Sequence, residues 1–223
     1  MARSDLNRAA IVARALEIAD AEGLEAITVR RISREFGVTP MALYWHVKDK
    51  DELLEAMGDA LFEGTDGPVD PGIDWSDQLR ILVDSLVQAF RRHPGAARLA
   101  FTRVVANDAG RRLSEHVFEV LRTAGFGVRE TADIGVYALR TAVMLVDGEP
   151  GRETAPTPEE RDAVLAAKRA ALKALPVEQF PRLHELTDAL LDCDDQDDYY
   201  RFGIDTFLAG VRARQEALTQ SAV

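Results

Sequence analysis

Hydrophobic residues recur at helical spacing along almost the whole chain. Near the amino terminus, Ile11, Ala15 and Ile18 repeat every three or four residues, which predicts a helix over about 7–22 that ends at Gly23. The same spacing continues to the carboxyl terminus, so the sequence predicts an all-α fold. Further helices are expected over about 48–63, 74–92, 108–124, 129–146, 159–175, 180–191 and 199–218, with a short one over about 96–101.

Two shorter predicted helices are joined by a tight turn at Gly37. Thr28 and Thr39 precede them as N-caps, because a threonine hydroxyl accepts a hydrogen bond from a first-turn amide. Gly37 tolerates the positive φ that such a turn needs. Pro40 fits the first turn of the second helix, which is expected to end near Val47. This arrangement predicts a helix-turn-helix whose second helix lies in the major groove of DNA.

The outward side of that second helix carries small and aromatic residues that can contact phosphates and thymine methyl groups. Leu43 and Val47, four residues apart, are predicted to face the core. Lys48 and Lys50 follow, at the start of the next predicted helix. Their charge suits backbone phosphates better than it suits the positive end of a helix dipole. The predicted outward residues are Thr39, Pro40, Met41, Tyr44 and His46.

The run Leu43-Tyr-Trp-His-Val-Lys-Asp-Lys50 resembles the motif of the TetR family of bacterial repressors, and the resemblance extends upstream over 24–32. It implies that Trp45 is partly packed. The best-known members have Gln-Pro-Thr before Leu-Tyr-Trp-His, whereas this chain has Pro40-Met-Ala42, so their operator sequence does not carry over. The DNA-contacting positions that the resemblance implies are Thr28, Arg30, Thr39, Pro40, Met41, Tyr44, His46 and Lys50. Lys48 is added to them because of its charge.

The rest of the chain is similar to the ligand-binding body of TetR-like regulators. The similar stretches lie around Trp75, at 93–95, at 180–183 and at 201–210. They imply an all-helical homodimer in which the helix over 129–146 and the last helix pack against their copies as a four-helix bundle. The residues agree in part, because both segments carry more apolar surface than one monomer face needs.

A stretch rich in glycine and proline over 64–72 predicts a linker. We therefore expect two domains. The first, 1–63, is a helix-turn-helix DNA-binding domain with its connecting helix. The second, 64–223, is a larger helical domain for ligand binding and dimerisation.

The charge of the chain is uneven. Its net charge is −11, yet residues 1–50 hold eight Lys and Arg against seven Asp and Glu, while the remainder holds 19 against 31. An acidic body repels DNA and helps to orient the other end toward it. Because the predicted DNA-binding end is barely basic, we expect modest non-specific binding to DNA.

The sequence also favours the cytoplasm. No apolar run approaches the ~20 residues of a membrane span, and the first residues lack the basic and apolar regions of a signal peptide. The single cysteine, Cys193, excludes an internal disulfide and fits a reducing compartment.

No motif predicts catalysis, a metal or a cofactor. The acidic run 192–198 lacks the glycine and distal glutamate of a calcium loop, and a solvated turn is the favoured interpretation. The pair His184 and Asp188 lacks the second histidine of a zinc helix. Gly125-Phe-Gly127 is followed by Glu130, where a dinucleotide motif needs glycine. Cys193 among carboxylates is a poor nucleophile.

A small-molecule site is expected between helices of the body. His116 and Arg140 are of most interest, because polar groups on largely apolar helices need partners. Each candidate is also a plausible core residue. The candidate residues are Phe90, Phe101, Arg103, His116, Phe118, Tyr137, Arg140, Thr141 and Met144.

Together these patterns predict a homodimeric repressor that a small-molecule effector releases from a palindromic operator. Two alternatives remain open. One is a DNA-binding regulator without a small-molecule effector, either an activator or a protein-controlled regulator. The other is a helical enzyme or carrier domain with a vestigial DNA-binding end. Ligand-dependent release from DNA separates the first from the repressor, and catalytic turnover without operator binding identifies the second.

Overall fold

A computed structural model describes residues 6–150, 157–191 and 196–221. Within these ranges the chain forms eleven α-helices and no β-strand, which confirms the predicted all-α fold. Two 3₁₀ turns, Leu24–Ala26 and Pro94–Leu99, lie between them. The helices are α1 Arg8–Glu22, α2 Val29–Phe36, α3 Pro40–Tyr44, α4 Lys50–Ala60, α5 Trp75–Arg92, α6 Ala100–Arg103, α7 Asp108–Thr123, α8 Val128–Asp147, α9 Pro158–Lys173, α10 Pro181–Leu190 and α11 Gln196–Ser221.

The predicted caps of the helix-turn-helix are present. Thr28 Oγ1 accepts a hydrogen bond from the Arg31 amide at 3.0 Å, and Thr39 Oγ1 accepts one from the Ala42 amide at 3.3 Å. Gly37 has a φ of 63°, in the left-handed region that the turn requires. The sequence therefore specifies both helix starts and the turn between them through short-range hydrogen bonds.

The predicted bounds of α3 and α4 are wrong by a few residues. We expected α3 to reach Val47, but the Leu43 carbonyl accepts from both the His46 and Val47 amides, and this tight turn ends the helix at Tyr44. Lys48 lies outside α4, which begins at Lys50 because Asp49 Oδ1 accepts from the Glu52 amide at 2.8 Å.

Helices α1 to α4 enclose one apolar cluster. Its central side chains are fully buried, among them Ile11, Ile32, Leu43, Leu53 and Met57. Leu53 and Met57 lie four residues apart on α4, as do Ile11 and the buried Ala15 on α1, so these parts of the cluster follow from the hydrophobic pattern. It holds α3 in place while leaving the opposite side of that helix exposed.

A second cluster lies where α5 packs against α7 and α8. The two ends of α5 also take part in edge-to-face aromatic pairs. The rings of Phe62 and Phe90 are 5.8 Å apart, and those of Trp75 and Phe126 are 5.9 Å apart. Such pairs add about 0.5–1.5 kcal/mol each to the stabilisation from burial.

The chain divides into two compact units, Met1–Asp147 with Gly203–Val223, and Gly148–Phe202. In the second unit α9 packs on α10, and Asp188 accepts hydrogen bonds from Arg169 and Lys173, both at 3.0 Å. The predicted boundary between residues 63 and 64 falls inside the first unit and stays a prediction. None of the helices in the described ranges combines the length and hydropathy needed to cross a membrane.

Helix α8 buries only part of its apolar surface in the isolated chain. Ile134 and Val143 are buried, whereas Val136, Tyr137 and Met144 are 52%, 64% and 69% exposed. Exposed apolar residues of this size on one helix indicate a contact surface rather than a solvated face.

Candidate nucleic-acid interface

One side of α3 lies in the core and the other is exposed. Leu43 is 0% exposed and Val47 is 1% exposed, which confirms that both face inward. Met41, Tyr44 and Trp45 are 69%, 47% and 84% exposed. Large side chains that are this exposed on a well-packed helix pair are positioned to contact a partner molecule.

Trp45 differs from its expected position. We expected it to be partly packed, but α3 ends one residue earlier, and the closing turn leaves the indole in solvent. His46 is half-buried, while Thr39 and Pro40 are exposed. The exposed surface therefore contains Trp45 in addition to Thr39, Pro40, Met41 and Tyr44, and His46 belongs to it only in part.

Thr28 and Thr39 each stand at an exposed helix start. Their hydroxyl oxygens accept the capping hydrogen bonds from backbone amides, and a hydroxyl can donate at the same time. Each threonine can therefore cap its helix and donate to a phosphate oxygen.

Three arginines of the four-helix amino-terminal region are neutralised by acidic neighbours. Arg31 donates to Glu22 at 2.6 Å and also to Glu35, which accepts a second bond from Arg14 at 2.8 Å. These bonds lower the pKa of Glu35, through Arg31 first and Arg14 second, and Arg31 also lowers the pKa of Glu22. Arg8 pairs in the same way with Glu52 on α4.

Four cations in the same region have no ion pair among the described residues. They are Arg30, Arg34, Lys48 and Lys50, of which the first three are exposed and Lys50 is half-buried. Four acids of this region, Glu17, Glu22, Glu35 and Glu52, are thus held by other arginines, while the four cations form no ion pair of their own among the described residues. This explains how a segment with almost no net charge can offer positive groups to DNA.

A groove of about 410 Å³ lies between α2 and α3. It joins two of the unpaired cations, Arg30 and Arg34, to Tyr44 on the exposed side of α3. Sequence reasoning selected Arg30 and missed Arg34, although their spacing of four residues places both on one face of α2. The other lining residues are Val29, Ser33, Val38 and Pro40.

Helix α1 is tied to the turn that follows α5. Asp20 accepts a hydrogen bond from the Gly95 amide at 2.8 Å, and its second oxygen lies 2.9 Å from Nδ1 of His93. A Cβ atom on Gly95 would lie only 2.1 Å from the Ala19 carbonyl oxygen. The two backbones therefore approach as closely as glycine alone allows.

Helix α4 is tied to α6 in a similar way. Arg103 donates to both oxygens of Asp59, at 2.9 and 3.1 Å, and this pairing raises the pKa of Arg103. Gly58 lies under the stem of Arg103, where a Cβ atom would meet Cγ at 2.5 Å. A shift of residues 93–103 would therefore act on both α1 and α4.

The candidate ligand residues have different surroundings. Phe90 is in the core against Phe62, and Arg103 is held by Asp59. Phe118 covers Gly135, and Thr141 is half-buried. The remaining five are exposed in the isolated chain, and the proposed ligand site stays a prediction. These five are Phe101, His116, Tyr137, Arg140 and Met144.

A second groove, of about 690 Å³, runs between α8 and α11. Tyr137 and Phe207 supply apolar surface to it, and Arg214 bridges to Glu130 at 2.7 Å along it. Among the described residues, no group of three His, Cys, Asp or Glu side chains could hold a metal ion. Most of the acidic run, residues 192–195 with Cys193, lies outside the described residues.

Two family models match the chain, one before the predicted linker over 64–72 and one that begins within it. Residues 11–57 match the bacterial regulatory proteins of the tetR family. Residues 67–215 match the tetracyclin repressor-like C-terminal domain. The first match contains the exposed face of α3, and the second contains α5 to α10 and most of α11.

Two known proteins are similar to this chain, one over part of its length and the other over almost all of it. An HTH-type transcriptional regulator of Saccharopolyspora erythraea is 32% identical over 139 residues, 62% of this chain and 59% of that protein. This match thus spans less than two thirds of that relative's length. The tetracycline repressor protein class D of Escherichia coli is 27% identical over 224 residues, 96% of this chain and 93% of that protein.

A solved structure also shares the fold. The ActR protein of Streptomyces coelicolor, a TetR family protein crystallised in complex with actinorhodin, superimposes with a TM-score of 0.73 at 28% identity. The superposition covers 94% of this chain and 98% of ActR.

Proposed function

Because the chain belongs to the tetR family of bacterial regulatory proteins, we propose that it is a homodimeric transcriptional repressor that a small-molecule effector releases from a palindromic operator. The observation that supports this most is the exposed side of α3 beside four cations that form no ion pair among the described residues, Arg30, Arg34, Lys48 and Lys50. Since its target is DNA, the protein is proposed to act in the cytoplasm, and no catalytic role is assigned to it.

In this proposal α3 enters the major groove. Met41 and Tyr44 contact base edges and thymine methyl groups, and His46 contacts the backbone. Lys48 and Lys50 neutralise phosphates on one side of the groove, and Thr28 donates to a phosphate on the other. Thr39 and Pro40 lie at the start of α3, where recognition helices approach the bases most closely.

The homodimer is proposed to form through α8 and α11. The support is the exposed apolar surface of both helices, represented by Tyr137, Met144 and Phe202, of which Phe202 is 74% exposed. A two-fold pair would present two α3 helices to half-sites about one helical turn, ~34 Å, or more apart.

Release from DNA is proposed to follow effector binding in the body. ActR, which is similar in fold and sequence, binds actinorhodin, and this supports a small-molecule effector here. An effector changes operator affinity only through its different affinity for the two states of the protein. The contacts of Asp20 with Gly95, and of Asp59 with Arg103, offer the route by which a movement in the body reaches α1 and α4.

The first experiment is a mobility shift of purified protein with the DNA upstream of its own gene, followed by footprinting across a salt series. A protected palindrome with two protomers bound supports the proposal. Binding that stays weak and sequence-independent, there and in a selection of bound genomic fragments, contradicts it. The confirmed operator then becomes the probe with which candidate effectors are screened.

A regulator without a small-molecule effector is the second candidate. The observation that favours it is the scattered placement of the candidate ligand residues, since Phe90 is in the core and His116 and Arg140 are exposed. An effector that releases the operator at concentrations near its own Kd excludes this candidate. Operator binding that only a partner protein changes would establish it.

A further inference from the structure

The three arginines of α2 have different surroundings although they lie within five residues. Arg31 is held by Glu22 and Glu35, which raise its pKa above the ordinary value. Arg30 and Arg34 are exposed and have no hydrogen bond or ion pair through their side chains among the described residues. An arginine with five unused donors, in a region where nearby arginines are all paired, is available for an anion outside the chain.

The two available arginines lie on one side of α2. A spacing of four residues separates their Cβ atoms by about 5–6 Å. Both line the groove that Tyr44 and Pro40 of α3 close from the other side. An anion bound there would therefore lie at the edge of whatever surface α3 contacts.

Acidic side chains do not compete for this position. Glu35, one residue from Arg34, already accepts from Arg14 and Arg31. Ser33, which also lines the groove, is buried and donates its hydroxyl to the Val29 carbonyl at 2.7 Å. The groove therefore combines two free guanidinium groups with a neutral floor.

We infer that Arg30 and Arg34 form a two-arginine clamp for backbone phosphates along the strand beside the groove that α3 enters. This inference rests on the proposed function and adds Arg34 to its DNA contacts. A planar guanidinium donates two parallel hydrogen bonds to phosphate oxygens, which fixes orientation as well as supplying charge. The clamp positions α3 and contributes equally to all DNA sequences.

The clamp predicts a specific salt dependence. Each phosphate contact contributes about one unit to the slope of log K against log salt concentration, because binding releases a counterion. R34A should therefore reduce the slope by about one unit per protomer and weaken binding to operator and random duplex by the same factor. R34K should keep the slope, because it keeps the charge, while losing part of the affinity with the bidentate geometry.

The test is fluorescence anisotropy with labelled operator and labelled random duplex, each measured at several salt concentrations. R14A is the matched control, because it also removes one arginine charge from this region, but one that Glu17 and Glu35 already hold. We expect the slope of R14A to equal that of wild type. Far-ultraviolet circular dichroism and thermal melts on each variant establish that it is folded.

Two results would overturn the clamp. One is an R34A slope equal to that of wild type, and the other is a loss of affinity for the operator that is absent with random duplex. Failure of the proposed function is distinguishable, because it appears in the wild type as equal affinity for operator and random duplex. In that case the random-duplex slopes still decide whether Arg34 binds phosphate.

Discussion

At the scale of single residues, ion pairing decides which charges are available to DNA. Arg31 and Arg34 are both arginines of α2, yet one is held by two glutamates and the other faces solvent. The formal charge of the region is therefore a poor guide to its binding surface. A few cations without an ion pair, placed beside α3, determine the binding surface more than the net charge of the region does.

Truncation of Tyr44 on α3 or of Lys50 on α4 should weaken operator binding while leaving the proposed dimer intact. Tyr44→Ala removes a half-exposed ring, and Lys50→Ala removes an unpaired cation at the start of α4. Each change should raise the operator Kd roughly tenfold, since such contacts are worth on the order of 1–3 kcal/mol. Lys50→Ala should also reduce the salt slope by about one unit per protomer.

Anisotropy with labelled operator measures both effects, and sedimentation velocity measures the dimer. Lys168→Ala is the control, because this lysine is exposed on α9 and is not one of the proposed DNA contacts. Normal operator affinity in both Tyr44→Ala and Lys50→Ala would contradict the assignment of α3 as the recognition helix.

At the scale of elements, α1 and α2 are joined by the arginine–glutamate network around Arg31. The network lowers the pKa of Glu22 and Glu35, so both carboxylates stay charged below the pH at which they protonate in the unfolded chain. A lowered folded pKa contributes stability above the unfolded value and loses it as pH falls through the folded value.

The amino-terminal helices should therefore lose thermal stability below about pH 4.5, near the ordinary pKa of glutamate. Melting temperatures measured from pH 7 to pH 3 by circular dichroism check this. Arg31→Gln should flatten that part of the profile, because it removes the cation common to both glutamates. An identical pH profile in wild type and Arg31→Gln would show that the network does not contribute.

The contact between α1 and the turn at 93–95 requires glycine. Gly95→Ala would place a Cβ atom 2.1 Å from the Ala19 carbonyl oxygen and 2.7 Å from the Asp20 nitrogen. The two backbones must separate, which we expect to reduce the free energy of unfolding by about 1–3 kcal/mol. The displaced α1 should also weaken operator binding.

Urea unfolding and operator titration measure the two effects of Gly95→Ala. Gly67→Ala is the matched control, because nothing lies within 4 Å of its added Cβ atom. Its unfolding free energy should stay within about 0.5 kcal/mol of wild type. Wild-type stability in Gly95→Ala would mean that the approach of α1 is looser than the structure shows.

At the scale of the whole molecule, α8 carries an apolar surface that a single copy of the chain leaves exposed. Tyr137 and Met144 are 64% and 69% exposed on a helix that also carries core residues. We attribute this surface to the proposed dimer, because operator binding in two half-sites requires two copies of α3.

A charge at the centre of that surface should separate the protomers. Met144→Glu is expected to give a monomer in sedimentation equilibrium and to lose operator affinity by a factor of 100 or more, because one α3 contacts only half the site. Val105→Glu is the control, since it places the same charge on a 65% exposed apolar residue outside α8 and α11. A dimeric Met144→Glu with normal operator binding would move the proposed interface elsewhere.

The sequence by itself determined the features that depend on near neighbours. Thr28, Gly37, Thr39 and Pro40 act within one helical turn, so their roles as caps and turn were predictable, and helical spacing identified Leu43 as a core residue. The resemblance of residues 43–50 to a known motif predicted that α3 is the DNA-binding helix.

The tertiary structure decided the features that depend on residues distant in sequence. Asp20 contacts Gly95 across 75 positions, and Glu22 pairs with Arg31 only because α1 and α2 pack together. Packing likewise determined that Arg34 stays unpaired. Charge pairing between helices and close backbone approach depend on the folded structure, and no spacing rule along the chain encodes them, unlike the pair of Arg31 and Glu35, which lie four residues apart on one helix.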